Sequence, residues 1–141
     1  MPEKGRVLGL DLGDVRIGVA VSGPDRKVAV PFGTVHTGAP ADLKAIARIV
    51  QENEVMLVVV GNPLMMSGET GTGARHAEEF ARALRQFLPV PVVLHDERLS
   101  TAEAERALKE AGAGGRERRR AVDRSAAAVI LQSYLDALPR G

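Results

Sequence analysis

Three acidic residues stand at the borders of predicted elements, where they could bind a divalent metal ion. Asp11 directly follows the apolar run Val7–Leu10, and Glu97 comes soon after a second apolar run. Asp123 lies near the start of the last predicted helix. A buried carboxylate needs a positive partner, because desolvating an unpaired charge costs several kcal/mol. Ligands gather at the carboxyl ends of parallel strands, so we expect these carboxylates to converge at one sheet edge.

Carboxylate oxygens are the ligands that Mg²⁺ and Mn²⁺ prefer. Two such ions in one site can stabilise the attacking and leaving oxygens of phosphodiester cleavage. Each acidic residue also has an ordinary alternative. Asp11 could form a turn before Gly13, Asp123 could stabilise the start of a helix, and Glu97 could pair with an arginine. Strand register decides whether Asp96 or Glu97 points into the site.

Alternating and helical patterns define the elements that must position these residues. The predicted strands are 6–12, 15–22, 27–35, 55–60 and 91–95, and the predicted helices are 40–53, 74–87, 101–111 and 121–138. The first two strands form an antiparallel hairpin. Pro31 predicts that the third strand is interrupted or bulged there, and it favours an edge position. Right-handed crossovers make the remaining strands parallel. The order β-β-β-α-β-α-β-α-α predicts a five-stranded mixed α/β sheet with helices on both faces.

Composition narrows the function further. The 141 residues correspond to one domain over 1–141, with 45% apolar residues and a net charge of +1. The absence of cysteine excludes disulfides, thiolate catalysis and cysteine-based zinc sites. No apolar run has membrane-spanning length and the first residues do not resemble a signal peptide, so we expect a cytoplasmic protein without a membrane partner.

Positive charge is concentrated beside the last predicted helix. Arg116, Arg118, Arg119 and Arg120 come immediately before it. Next to an acidic edge, such a group could hold a phosphate backbone, although charge runs also occur as solvated connectors. Arg16 and Arg98 each lie close to a proposed ligand and could position a phosphate or pair with an acidic residue. His95 could assist proton transfer, or it could be packed or exposed.

Ordered motifs along nearly the whole chain resemble those of the YqgF/RuvX family. They are Gly9-Leu10-Asp11-Leu12-Gly13, Arg16–Ala20, Gly61-Asn62-Pro63-Leu64 with Gly68 and Gly71, Asp96–Thr101 with Ala104-Glu105, Val122-Asp123 with Ala126-Ala127, and Ile130–Asp136. Two positions depart from the family pattern: Asn62 stands where Leu is common, and Ser100 where Thr is usual. Neither belongs to the proposed acidic set.

The resemblance implies an RNase H-like fold related to Holliday-junction resolvases. It also implies a nuclease for maturation of the 5′ end of pre-16S ribosomal RNA, acting on the small-subunit precursor. Asp11, Glu97 and Asp123 would then be the catalytic, metal-binding carboxylates for Mg²⁺ or Mn²⁺. Resolvases proper carry a further acidic residue at the end of the fourth strand, where this chain has Gly61-Asn62-Pro63. The chain could act as a monomer or a homodimer.

Three other functions remain open at this stage. A Holliday-junction resolvase would use the same chemistry on branched DNA, and a symmetric dimer would favour it. A nucleotide-binding module is suggested by the segment from Asp11 to Gly18, which resembles the first phosphate loop of actin-like ATPases, but those proteins close two such domains around ATP. A non-catalytic RNA-binding assembly factor could keep the fold, although it would have no need for an acidic cluster.

Overall fold

Five strands form one mixed sheet: β1 (Arg6–Leu12), β2 (Arg16–Ser22), β3 (Ala29–His36), β4 (Val55–Asn62) and β5 (Val92–Asp96). In the computed structural model, residues 4–62, 72–96 and 115–139 are described, and side chains are not described for 72–74 and 115–125. The strand order is β3-β2-β1-β4-β5. β1 is antiparallel to β2 and parallel to β4, and β4 is parallel to β5. The predicted mixed sheet is therefore confirmed.

The edge strand β3 contains the irregularity that Pro31 predicted. β3 runs antiparallel to β2, and the pairing shifts between Val19, which faces Gly33, and Ala20, which faces Pro31. Phe32 is the extra residue between these two pairs. Proline has no N–H to donate to a neighbouring strand, so an edge strand with a bulge accommodates it.

Three helices lie in the part of the chain that the structure describes: α1 (Ala41–Glu52), α2 (Thr72–Phe87) and α3 (Gly115–Asp136). α1 and α2 cover one face of the sheet, where Ile46, Ala81 and Leu84 pack against strand residues such as Leu8 and Leu10. α3 covers the opposite face, where it packs on a smaller cluster that includes Val7, Val59 and Leu131. The prediction of helices on both faces is confirmed.

Gly9 allows α3 to lie close to the sheet. A Cβ atom at this central position of β1 would come 2.7 Å from Leu131 Cβ and 3.2 Å from the Ala127 carbonyl oxygen. Cβ contacts as short as the first do not occur without a shift of the neighbour. A glycine inside a strand often marks such a close approach of another element. The distance between α3 and β1 therefore depends on a missing side chain.

The last helix begins earlier than the sequence indicated. α3 starts at Gly115, so the arginine run at 116–120, which was predicted to lie before the helix, is helical. Arginine is a good helix former, and the run contains neither glycine nor proline to break the helix. The apolar periodicity begins only at Ala127, which explains why the pattern placed the start too late. The predicted helix at 101–111 lies outside the described residues.

No helix in the described part of the chain is long and apolar enough to cross a membrane.

Candidate metal and nucleic-acid site

Asp11 lies near the carboxyl end of β1, on the face that α3 covers. It is partly buried and pairs across the strands with Gly18 of β2. A Cβ atom on Gly18 would lie 3.7 Å from Asp11 Cβ and 3.6 Å from Ala127 Cβ. Asp11, Gly18 and Ala127 are therefore neighbours on one face, and the residue directly opposite Asp11 on β2 is a glycine.

Asp123 belongs to α3 and precedes Ala127 by about one helical turn. Towards its N-terminus, α3 passes from Leu131 over Gly9 to Ala127 beside Gly18, which is at the level of Asp11. The backbone of α3 thus leads from the middle of β1 towards the Asp11 end of the sheet. The side chain of Asp123 is not among those described, so its predicted role as a ligand remains a prediction.

The alternation of side chains along β5 determines the face of the sheet on which Asp96 lies. Side chains alternate between faces along a strand. Val92 and Leu94 pack in the cluster below α1 and α2, whereas Val93 packs on the α3 side. By this alternation Asp96, the last residue of β5, lies on the face opposite Asp11. Glu97 and Arg98, both predicted site residues, lie outside the described residues.

His95 occupies the α3 face in the same row of the sheet as Asp11. It pairs with Gly61 of β4, and the register of β1 with β4 continues from Leu10 facing Val60. Its imidazole Nε2 lies 3.0 Å from Ser133 Oγ of α3, a hydrogen bond whose direction depends on the imidazole tautomer. The ring also meets the edge of Tyr134 at a centroid distance of 5.6 Å and an interplanar angle of 90°.

Arg16 is a positively charged residue on the same face as Asp11. It is exposed at the start of β2 and pairs with His36 at the end of β3, two residues from the Asp11–Gly18 pair. The run Arg116, Arg118, Arg119 and Arg120 lies in α3 before Asp123, without described side chains. Arg16 therefore lies at the same end of the sheet as Asp11, and α3 runs from Leu131 through Ala127 towards that end.

A polar network fixes the turn that follows Asp11. Thr37 Oγ1 donates to the Gly13 carbonyl at 2.8 Å, and the Thr37 N–H donates to the Val15 carbonyl at 3.0 Å. The buried Asp42 carboxylate accepts from the Gly38 N–H at 3.0 Å and from the Leu43 N–H at 2.7 Å. The connection between β3 and α1 thus holds the β1–β2 turn, which limits movement of the strand end that carries Asp11.

Within the described residues, no three histidine or acidic side chains lie close enough together to hold a metal ion. The predicted set is not contradicted by this, because Glu97 is outside these residues and the Asp123 side chain is not described. The chemistry of the donors fits Mg²⁺ or Mn²⁺, since all three are carboxylates and Asp11 is partly buried at the carboxyl end of a strand.

Sequence reasoning missed the contact between His95 and Ser133. The sequence indicated no role for Ser133, and it left His95 open as a proton-transfer group, a packed residue or an exposed one. A serine next to an apolar stripe is common, so no sequence signal marked it. The close approach of α3 at Gly9 did have a signal, because a glycine inside a strand often faces another backbone.

The architecture is similar to that of two solved RuvC structures. The structure titled "T. thermophilus RuvC in complex with Holliday junction substrate" aligns with a TM-score of 0.56 and 16% sequence identity, covering 94% of each chain. A second structure, titled "Thermus thermophilus RuvC structure", aligns with a TM-score of 0.51 at 17% identity. At these identities the likeness concerns the fold, which is RNase H-like, as the sequence resemblance implied.

The sequence defines the family. Residues 5–137 match the RuvX family, described as Holliday junction resolvase. A protein of Anaeromyxobacter sp. (strain Fw109-5) named "Putative pre-16S rRNA nuclease" is 51% identical over 93% of this chain and 96% of its own length. One of the same name from Mycobacterium leprae (strain Br4923) is 47% identical over 96% of this chain and 74% of its own. The chain belongs to the RuvX family of nucleases, which confirms the predicted family and enzyme class.

Proposed function

We propose that this chain is a divalent-metal-dependent phosphodiester hydrolase that acts on structured RNA in the 5′-end maturation of pre-16S ribosomal RNA. One observation carries the proposal: the face of the sheet that holds Asp11 is the face along which α3 runs towards the turn containing Asp123. The names of the relatives support RNA as the substrate class. The small-subunit precursor would be the partner, and the cytoplasm the place of action.

The proposed metal ligands are Asp11, Glu97 and Asp123. Alternation along β5 favours Glu97 over Asp96, because Asp96 lies on the face opposite Asp11. Mg²⁺ or Mn²⁺ held by these carboxylates would activate water and stabilise the leaving oxygen of the scissile bond. The contribution of the chain itself is to hold Asp11 rigidly, since the Gly13–Val15 turn next to it is tied to Thr37.

The proposed phosphate contacts are Arg16, Arg98, Arg116, Arg118, Arg119 and Arg120. Arg16 is exposed at the Asp11 end of the sheet, and the run at 116–120 forms the first turns of α3. Arginines bind phosphates as planar, multidentate donors and position a nucleic acid without reading its sequence. Positive groups around an acidic centre would hold the backbone over the carboxylates and offset their repulsion of phosphate.

Holliday-junction resolution is the second candidate, favoured by the description of the family that matches residues 5–137. The chemistry would be the same, and the substrate would be branched DNA. At the end of β4, where resolvases proper carry an acidic residue, the described chain has Gly61 and Asn62. This difference favours RNA over a junction. A non-catalytic assembly factor is the third possibility, and it predicts binding without cleavage.

The test compares three substrates: a fragment of precursor 16S RNA, a duplex DNA of matched length and a synthetic four-way junction. Each is incubated with EDTA, Mg²⁺ or Mn²⁺, using the wild type, Asp11→Asn and the control Asp14→Asn. Asp14 is exposed in the β1–β2 turn, three residues beyond Asp11. We expect metal-dependent RNA cleavage that Asp11→Asn abolishes and Asp14→Asn keeps.

Two other outcomes would contradict the proposal. Symmetric nicking of the junction, without RNA cleavage, would identify a resolvase. RNA binding without cleavage in any metal, unchanged by Asp11→Asn, would identify an assembly factor that retains the fold.

A further inference from the structure

Two neighbouring residues of α3 hydrogen-bond to opposite edges of the sheet. Gln132 Oε1 accepts from the Ala29 N–H at 2.9 Å, and its Nε2 donates to the Lys27 carbonyl at 2.9 Å, next to the start of the edge strand β3. Ser133 Oγ shares the 3.0 Å hydrogen bond with His95 Nε2 near the end of β5. Successive helix residues differ in direction by about 100°, which lets the pair reach different strands.

The two attachments differ in their distance from the proposed site. Ala29 begins β3, and Lys27 comes just before it. Because β3 is antiparallel to β2 and β2 is antiparallel to β1, both residues lie at the end of the sheet opposite Asp11. His95 lies in the row of Asp11, two strands away, and is followed by the segment that contains Glu97. Strand spacing of about 4.8 Å puts the two strands only about 10 Å apart at this level.

The contact of His95 with α3 has two parts, and both are directional. The hydrogen bond to Ser133 is partly buried and joins residues 38 positions apart in sequence. The edge of Tyr134 meets the imidazole ring at 90°, an arrangement that aromatic rings favour. A directional pair specifies one alignment of strand and helix.

We propose that His95, Ser133 and Tyr134 form a clamp that positions the metal site. This inference rests on the proposed function. Glu97 follows His95 by two residues in the sequence and Asp123 belongs to α3, so the clamp fixes β5 against the helix to which a second proposed ligand belongs. His95 and Ser133 act as positioning residues, because they reach the metal only through the elements that they hold together. Residues that orient metal ligands commonly change metal affinity by about 10–100-fold when they are substituted.

The test measures Mn²⁺ affinity by titration calorimetry, without substrate, in Ser133→Ala and in the matched control Gln132→Ala. Gln132→Ala removes hydrogen bonds to Ala29, Lys27 and Asp136, whereas Ser133→Ala removes the bond to His95. We expect Ser133→Ala to weaken Mn²⁺ binding by about tenfold and Gln132→Ala by less than about twofold. Ser133→Thr retains the hydroxyl and should restore most of the affinity.

Tyr134 gives an independent spectroscopic readout. It is the single tyrosine of a chain that has no tryptophan, so the intrinsic fluorescence under tyrosine excitation reports on this contact. We expect Ser133→Ala and His95→Ala to change its emission, and Gln132→Ala to leave it near the wild-type spectrum. Thermal unfolding of all variants shows whether the affinity changes follow global stability.

The inference is overturned if Ser133→Ala binds Mn²⁺ as tightly as the wild type, or if Ser133→Ala and Gln132→Ala weaken binding equally. Asp11→Asn distinguishes this failure from that of the proposed function. If Asp11→Asn keeps wild-type Mn²⁺ affinity, the proposed site itself is wrong, and the clamp with it. If Asp11→Asn loses binding while Ser133→Ala keeps it, only the clamp is wrong.

Discussion

The two faces of the sheet are packed in different ways. The face below α1 and α2 is filled with large aliphatic side chains, among them Leu8, Leu10 and Ile46. The face below α3 has a smaller cluster of aliphatic side chains, and beside it Gly9, Gly18 and Ala20 of the strands lie against Ala127 of the helix. Large side chains bury much apolar area, whereas small ones let a helix backbone come close. The first face mainly stabilises the fold, and the second mainly positions α3 relative to Asp11.

Truncation of the large-residue face should cost the most free energy and leave the site intact. Leu10 is fully buried among residues of α1 and α2 and the neighbouring strands. Leu10→Ala should lower the free energy of unfolding by about 3 kcal/mol, because it removes buried methyl groups and leaves a cavity. Urea unfolding measures this loss. Mn²⁺ affinity of the folded protein should stay within about twofold, which corresponds to about 0.4 kcal/mol of binding free energy. A larger loss would show that both faces position the site.

Enlargement of the small-residue face should cost less free energy and more function. In Gly9→Ala the new Cβ would meet Leu131 Cβ at 2.7 Å, so α3 must move away from β1. We expect a loss of about 2 kcal/mol in unfolding free energy, as is typical of overpacking, together with weaker Mn²⁺ binding.

Gly33→Ala is the matched control for Gly9→Ala. A Cβ on Gly33 in the edge strand meets nothing within 4 Å. Its unfolding free energy should change by less than about 0.5 kcal/mol, with unchanged Mn²⁺ binding. If Gly9→Ala kept full Mn²⁺ affinity, the distance between α3 and β1 would not matter for the site.

We expect the smallest effect, a change in RNA binding, when an exposed arginine on one face or the other is replaced by alanine. Arg16 is exposed on the α3 side near Asp11, whereas Arg48 is exposed on α1, on the other side. Arg16→Ala should weaken RNA binding a few-fold and reduce the salt slope of binding by about 0.7, because one phosphate contact is lost. Arg48→Ala should do neither. Fluorescence anisotropy at several salt concentrations measures both, and equal effects would contradict an RNA path on the α3 face.

Periodicity predicted the elements well because most of them have strong patterns. The hairpin of β1 and β2, the apolar strand β4 and the buried face of α2 all follow local signals. The start of α3 could not be found in this way, since the arginine run has no apolar side to reveal its helical period. The strand pattern also predicted Asp11 at the end of β1 and Arg16 close to it, and the pairing of β1 with β2 has both at one end of the sheet.

Relations between distant segments were beyond the sequence. The contact of His95 with Ser133 depends on how α3 lies across the sheet, which small residues at Gly9 and Gly18 determine. The choice between Asp96 and Glu97 depended on strand register, and only the packing of Val92, Val93 and Leu94 established the alternation along β5. Buried Asp42 likewise could not be foreseen, because its partners are backbone N–H groups of its own turn.

Mn²⁺ titration calorimetry on Glu97→Gln, Asp123→Asn and Asp96→Asn tests the central claim most directly. The three changes are matched, since each replaces a carboxylate by its amide. The account predicts that Glu97→Gln and Asp123→Asn each weaken Mn²⁺ binding by at least about tenfold, because the charge of the ligands sets affinity. It predicts that Asp96→Asn binds like the wild type. Loss of binding in Asp96→Asn with full binding in Glu97→Gln would place the metal on the other face and contradict the account.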